Sequence, residues 1–135
     1  MPEHRRGLLD TSVVIDLDHL SRADLPAEIA ISAITLAELT AGPHATDDPR
    51  ERAVRQDRLQ RVEATFDPIP FDDQAARAYG RISAAAVAAA GRKARGPRAL
   101  DLQIASVALA NRLPLYTRNP KDLRAIDELV EIVAV

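Results

Sequence analysis

Three acidic residues stand alone in otherwise apolar segments of this 135-residue chain. Asp10 directly follows a short apolar run in LLDTSVVID, Glu38 is the only charge in ISAITLAELTAG, and Asp101 is the only charge in ALDLQIASVALAN. A lone buried carboxylate destabilises a fold unless it is paired or bound to a cation. No Lys or Arg within these segments is placed to neutralise the acids, so the pattern favours a shared cation.

Each acid also has an ordinary explanation. Asp10 can cap the helix that follows it, Glu38 can point outward from a half-exposed helix, and Asp101 lies in a first helical turn, where negative charge is favoured. A fourth acid, Asp122, follows a predicted strand and can equally be a charge in an exposed turn. The joint pattern favours one shared site over four unrelated explanations.

Converging carboxylates would select a hard divalent cation. Two carboxylates about 4 Å apart repel by roughly 4 kcal/mol at an effective dielectric constant near 20. The chain has no cysteine, and His4, His19 and His44 lack the spacing of a zinc site. Oxygen ligands alone favour Mg²⁺ or Mn²⁺, which can lower the pKa of a coordinated water and offset charge on a phosphate. The predicted reaction is metal-dependent hydrolysis of a phosphodiester.

The remaining charges bear on the substrate. A net charge of −2 argues against a general polyanion binder, and 3% aromatic residues nearly exclude a surface of stacked aromatics. Arg118 lies beside the fourth acid, and four cations precede Asp101 within seven residues; these could hold phosphates or form a solvated loop: Arg92, Lys93, Arg95 and Arg98. Five further residues are mixed with acids and are interpreted as one solvated helix face: Arg50, Arg52, Arg55, Arg58 and Arg61.

Short apolar strands alternate with helical segments along the chain. The predicted strands cover residues 7–9, 28–31, 68–71, 115–117 and 129–135, and the 68–71 strand should lie at an edge because it contains two prolines. The predicted helices cover residues 12–20, 33–41, a stretch beginning at 49, residues 72 or 73 to 90, 99–111 and 121–126, with a loop at 91–97. This alternation predicts one α/β domain over residues 1–135, with a mostly parallel sheet covered by helices on both sides.

Sites in such sheets form outside the carboxyl ends of the strands, where the acids occur. No signal peptide or membrane span is apparent, and the chain lacks cysteine, so we expect a cytoplasmic protein.

Four motifs, taken together and in order, resemble a PIN domain. They are LLDTSVVID, SAITLAEL, RALDLQIA and LYTRNPKDL. The resemblance is closest to the VapC-type toxins of bacterial VapBC toxin–antitoxin pairs, and it covers nearly the whole chain. It implies a three-layer α/β/α sandwich around a parallel sheet and an Mg²⁺- or Mn²⁺-dependent endoribonuclease activity.

The resemblance also implies roles for particular side chains. The catalytic and metal-binding acids would be Asp10, Glu38, Asp101 and Asp122. Thr11 and Ser12 would orient the first carboxylate or a coordinated water. Thr117 and Asn119 belong with Asp122 to the closing TxNxxD element, and Asn119 could either hold that turn or face the site. The closing motif has Leu123 where Phe is common, which affects packing and not the chemistry.

The resemblance further implies partners. These are a second copy of the chain in a homodimer, a cognate VapB-type antitoxin that places a basic side chain against the acidic pocket, and a structured RNA such as tRNA or ribosomal RNA. Two other functions stay open: a PIN-like scaffold that binds protein with little nuclease activity, and a doubly wound Mg²⁺ phosphatase or phospho-receiver. The phosphatase is disfavoured because no second Asp lies two residues after Asp10, and the receiver because no acidic pair follows the first strand.

Overall fold

The computed structural model describes residues 4–90 and 99–135. In this part of the chain, four short strands form one sheet in the order β2-β1-β3-β4, and every pairing is parallel. The strands are β1 (Arg6–Leu9), β2 (Glu28–Ile31), β3 (Leu115–Thr117) and β4 (Ile132–Ala134). Leu9 pairs with both Ile31 and Tyr116, so the carboxyl ends of β1, β2 and β3 finish at the same edge.

The α-helices begin at side chains that can accept a hydrogen bond from the first turn. The helices are α1 (Thr11–Ile15), α2 (Ala33–Ala41), α3 (Pro49–Thr65), α4 (Asp73–Ala90) and α5 (Ala99–Ala110). Asp10, Ser32 and Asp48 cap α1, α2 and α3 by accepting a backbone N–H in the first turn. Asp72 does the same for α4 through the N–H of Ala75, at 2.9 Å.

Helices cover both faces of the sheet. Neighbouring residues of β1 point to opposite sides, so each side of the strand packs against its own set of helices. Leu8 belongs to a core cluster with α4 and α5, where Ile82, Ile104 and Val107 are fully buried. Leu9 belongs to a second cluster with α1, α2 and α3, lined by the buried residues Val13, Leu39 and Leu59. The predicted α/β sandwich with a parallel sheet is confirmed.

Several predicted elements are shorter than expected. The segment at 68–71 makes one parallel bridge, between Ile69 and Ser32, because the prolines on either side of Ile69 have no N–H to extend the ladder. The predicted helix over 12–20 ends as an α-helix at Ile15 and continues as 3₁₀ turns, and the segment after β3 is the 3₁₀ helix Pro120–Ile126. Of the final strand predicted at 129–135, only Ile132–Ala134 forms β4. The loop predicted at 91–97 lies outside the described residues.

Arginines of α3 join that helix to neighbouring segments. Arg52 and Arg55 donate to backbone oxygens of the 3₁₀ turn Gly42–Ala45 and of Thr46, at 2.8–3.1 Å. Arg61 donates to Asp18 at 3.0 Å, and this hydrogen bond and charge raise the pKa of the guanidinium above its usual range. The interpretation of these arginines as one solvated face agrees with the exposure of Arg50, Arg52 and Arg61, but Arg55 and Arg58 are half-buried, and Arg55 holds Gly42, at the end of α2, against α3.

None of the helices in the described ranges combines the length and apolar character that a bilayer-spanning helix needs.

Candidate functional site

A cavity of about 240 Å³ opens at the carboxyl edge of the sheet. Its walls come from the end of β1, from α1, α2 and α5, and from the turn and 3₁₀ helix after β3. The lining residues are Asp10, Thr11, Ser12, Ile15, Glu38, Leu100, Asp101, Thr117, Asn119, Asp122 and Leu123. All four acids and all four supporting residues named from the sequence lie in this one cavity, which is called the acidic cavity below.

Asp10 both caps a helix and faces the acidic cavity. Its Oδ1 accepts the backbone N–H of Val13 at 3.2 Å and the hydroxyl of Ser12 at 2.5 Å. The Ser12 oxygen also accepts the backbone N–H of Arg118, the residue directly after β3, at 3.2 Å. Asp10 therefore caps α1, as the ordinary explanation predicts, and it also lines the acidic cavity, with one set of hydrogen bonds orienting the carboxylate.

Among the described residues, Glu38 is oriented by hydroxyls and not by a Lys or Arg. Thr11 Oγ1 donates to Glu38 Oε1 at 2.7 Å, and Thr35 Oγ1 lies 3.1 Å from Thr11 Oγ1. Because the Thr11 hydroxyl has a single proton, Thr35 must donate to Thr11 in this arrangement. The Thr35 side chain is fully buried behind the cavity.

Sequence reasoning missed Thr35. Its position three residues before Glu38, which puts both residues on one face of α2, was the signal that could have found it.

The other side of the acidic cavity comes from α5 and from the segment after β3. Asp101 is half-buried in the first turn of α5. Thr117 is buried, and its Oγ1 accepts the backbone N–H of Asn119 at 3.0 Å. The Asn119 carbonyl accepts the N–H of Asp122 at 3.1 Å, and its side chain makes no capping bond. The main chain of Asn119 therefore holds the turn, and Asn119 also lines the acidic cavity.

The lining of the acidic cavity is strongly negative. Within residues 4–90 and 99–135, no Lys or Arg forms an ion pair with Asp10, Glu38 or Asp122. In the same ranges, no three carboxylates or imidazoles lie close enough together to form a ready-made metal site. The acids thus surround one cavity without converging on a point, and Asp10 and Glu38 are each turned toward a neighbouring hydroxyl.

The donor set of the acidic cavity nevertheless fits a hard divalent cation. Its polar atoms are carboxylate, hydroxyl and amide groups, with no sulfur or imidazole among the lining residues. Oxygen donors of this kind prefer Mg²⁺ or Mn²⁺.

Among the described residues, no cation named from the sequence lines the acidic cavity. Arg118 is exposed, its guanidinium Nε lies 3.5 Å from Asp16 Oδ2, and it is not part of the cavity lining. The other four lie outside the described residues: Arg92, Lys93, Arg95 and Arg98.

Comparisons with known proteins agree with this architecture. The family model of the PIN domain matches residues 7–129. Ribonuclease VapC5 of Mycobacterium tuberculosis is 38% identical over 134 residues, covering 96% of this chain and 95% of that protein.

Solved structures are also similar to this chain over most of its length. A crystal structure of VapBC-5 from Mycobacterium tuberculosis, a member of the VapBC family of toxin–antitoxin systems, matches with a TM-score of 0.83 and 38% identity, over 97% of this chain and 99% of that chain. FitAcB from Neisseria gonorrhoeae matches with a TM-score of 0.67 and 28% identity, over 93% and 94% of the two chains.

Proposed function

This chain belongs to the PIN domain family, and on that premise we propose that it is the toxin of a type II toxin–antitoxin pair, a metal-dependent endoribonuclease. One observation carries the proposal: four acids from distant parts of the sequence line a single cavity. The name of the relative, a ribonuclease, and the toxin–antitoxin family of the similar solved structure support the same activity for this chain.

The acidic cavity would hold Mg²⁺ or Mn²⁺ through the carboxylates of Asp10, Glu38, Asp101 and Asp122. When bound, such an ion acidifies a water and offsets the negative charge that develops on the phosphate. Ser12 limits the rotation of the Asp10 carboxylate, and Thr11, supported by Thr35, limits that of Glu38. These hydroxyls reduce the reorganisation that ligand binding requires.

Residues other than the acids would position the RNA. The Asn119 amide can donate a hydrogen bond to a phosphate oxygen, since this residue lines the acidic cavity beside Asp122. Ile15, Leu100 and Leu123 form the apolar part of the wall, which suits the sugar and base of a nucleotide better than its phosphate. The basic residues Arg92, Lys93, Arg95 and Arg98 are proposed to contact the RNA backbone.

We further propose partners of this chain. These are a cognate VapB-type antitoxin, a second copy of the chain in a homodimer, and a structured RNA such as tRNA or ribosomal RNA, which would place the activity in the cytoplasm. A basic side chain of the antitoxin would offset the negative acidic cavity and exclude the substrate phosphate. The competing function is a protein-binding scaffold without nuclease activity. It accounts for the fold but not for carboxylates that hydroxyls hold toward an open cavity.

Cleavage of RNA by the purified, antitoxin-free protein tests the proposal. With Mg²⁺ or Mn²⁺ we expect discrete cuts in total bacterial RNA, loss of cleavage in EDTA and recovery with excess Mg²⁺. Asp10→Asn should reduce the rate by about 10³-fold, because a metal-held site contributes several kcal/mol to the transition state.

The matched control is Asp67→Asn, an exposed aspartate outside the acidic cavity, which should cleave like the unmodified chain. Cleavage that persists in EDTA or in Asp10→Asn would remove the proposed mechanism. A folded chain that cuts no RNA under any of these conditions would leave the scaffold function.

A further inference from the structure

A second cavity adjoins the acidic cavity on the side of α3. It has a volume of about 270 Å³ and is lined by Thr11, Ile15, Glu38, Leu39, Gly42, Glu51, Arg55 and Arg58. Thr11, Ile15 and Glu38 line both cavities. The two cavities are therefore neighbours on the surface, separated by these three residues, and a polymer bound in one can reach the second, called the α3 cleft below.

Among the described residues, Arg58 is the arginine of the α3 cleft that forms no ion pair. Arg55 donates to Glu51 at 3.0 Å and to the Gly42 carbonyl at 2.9 Å. By contrast, Arg58 is half-buried, and no carboxylate of residues 4–90 and 99–135 pairs with it. Its positive charge is thus available to a ligand.

The position of Arg58 is well defined although its guanidinium makes no ion pair with the described residues. The next residue, Leu59, and Val62 one turn later are buried in the core and hold α3 in place. Arg58 also lines a third cavity, of about 200 Å³, together with Val14 and Ile15, apolar residues that the stem of an arginine can cover. A planar guanidinium on an anchored stem suits bidentate contact with a phosphate.

We propose that Arg58 binds a backbone phosphate of the RNA strand, next to the phosphate that is cut in the acidic cavity, with Ile15 against the nucleotide between them. Ile15 fits this place because it lines both cavities and is 44% exposed. A phosphate chain leaving a cavity lined by four carboxylates is repelled, and a neighbouring cation that pairs with no described carboxylate reduces that repulsion. This inference rests on the proposed nuclease function and adds a subsite to it.

RNA binding without cleavage provides the first test. In an Asp10→Asn background, the affinity for a labelled single-stranded RNA is measured by fluorescence anisotropy over a range of salt concentrations. Arg58→Gln should weaken binding by about tenfold and lower the slope of log K against log salt by about 0.7, the value for one lost contact with a single strand. Arg58→Lys should keep most of the slope, because the charge is retained.

Arg50→Gln is the matched control. It removes the same charge from the same helix, but Arg50 is exposed and lines neither of the two cavities. Its affinity and salt slope should equal those of the parent protein. The inference is wrong if Arg58→Gln and Arg50→Gln behave alike while circular dichroism shows both folded. It is also wrong if Arg58→Gln weakens only the binding of a co-expressed antitoxin, since the α3 cleft would then hold protein.

The catalytically intact chain gives a second readout. Arg58→Gln should raise KM by about tenfold and change kcat by less than about twofold, as expected for a contact made equally before and during the reaction. A fall in kcat with unchanged KM would contradict a binding role. Failure of the nuclease proposal has a different signature, the absence of metal-dependent cleavage by the unmodified chain, whereas the RNA affinity and salt slope do not depend on cleavage.

Discussion

The acidic cavity and the apolar core beneath it are built by the same elements but are held by different forces. In β1, Leu8 and Leu9 are fully buried on opposite sides of the sheet, and Asp10 follows at once at the cavity wall. In α5, Asp101 faces the cavity from the first turn, and Ile104 is fully buried one turn later. The boundary between core and site is therefore one residue wide in β1 and one helical turn wide in α5.

This difference separates stability from function. Core residues contribute by burial, which is non-directional and amounts to roughly 25 cal/mol per Å² of apolar surface. The acids contribute no such burial, and directed hydrogen bonds from Thr11, Ser12 and the backbone N–H of Val13 hold Asp10 and Glu38 in place. Substitutions in the cavity should therefore change activity without loss of stability, and substitutions in the core should do the reverse.

Glu38→Gln should produce the largest separation of the two properties. The amide keeps the shape of the side chain but lacks the charge that a divalent cation requires, so the cleavage rate should fall by about 10³-fold. Removing one of several like charges should leave the free energy of unfolding unchanged or raise it by up to about 1 kcal/mol. Rates on a defined RNA and chemical denaturation measure the two effects.

Glu63→Gln, on the exposed side of α3, is the matched control for Glu38→Gln and should change neither property. A marked loss of stability in Glu38→Gln would mean that the carboxylate supports the fold, and the contrast between cavity and core would fail.

Ile104→Ala should show the opposite pattern. Ile104 is fully buried in the cluster between the sheet and α5, so its truncation should lower the free energy of unfolding by about 2–5 kcal/mol. Below the unfolding transition, the cleavage rate of the folded protein should stay within about twofold, because Ile104 does not line the acidic cavity. Val54→Ala removes apolar atoms from a residue that is 51% exposed and should cost little. A large drop in rate at full folding would show that the core and the site are coupled.

Thr11→Val should have the smallest effect and tests the hydroxyls that orient Glu38. The substitution keeps the shape but removes the donor to Glu38 Oε1 and leaves the buried Thr35 hydroxyl without its acceptor. We expect a rate or metal affinity reduced by about tenfold, within the range for residues that orient metal ligands. Thr11→Ser keeps the hydroxyl and should retain most of the activity. Equal losses in Thr11→Ser and Thr11→Val would mean that the methyl group, not the hydrogen bond, is what matters.

Much of the fold was predictable because its signals are local. Asp and Ser are good helix caps where they precede a helical segment, and Asp10, Ser32 and Asp48 each cap a helix. Strand ends were less predictable, because the length of a strand depends on its partner. The segment at 68–71 has strand composition, yet its prolines restrict it to one bridge beside β2.

The candidate site divides in the same way. Asp10, Glu38 and Asp101 were predicted because each interrupts an apolar run, Asp122 because it follows a predicted strand, and Thr11 and Ser12 from the resemblance to the PIN domain family. Thr35 and Arg58 were not found, since a threonine in an apolar helix and an arginine among mixed charges are unremarkable in isolation. Their significance depends on a hydroxyl and a cavity supplied by other segments.

The sequence by itself determined which carboxylates interrupt apolar segments or follow a strand, where the helices begin, and that the chain alternates strands and helices. Only the tertiary structure decided that these carboxylates face one cavity, that hydroxyls of Thr11 and Ser12 orient Glu38 and Asp10, and that Arg58 lines the neighbouring α3 cleft. The physical reason is that caps and apolar periodicity depend on neighbours a few residues apart. Convergence at the sheet edge depends instead on the strand order β2-β1-β3-β4, which brings residues more than a hundred positions apart into contact, as Ser12 and Arg118 show.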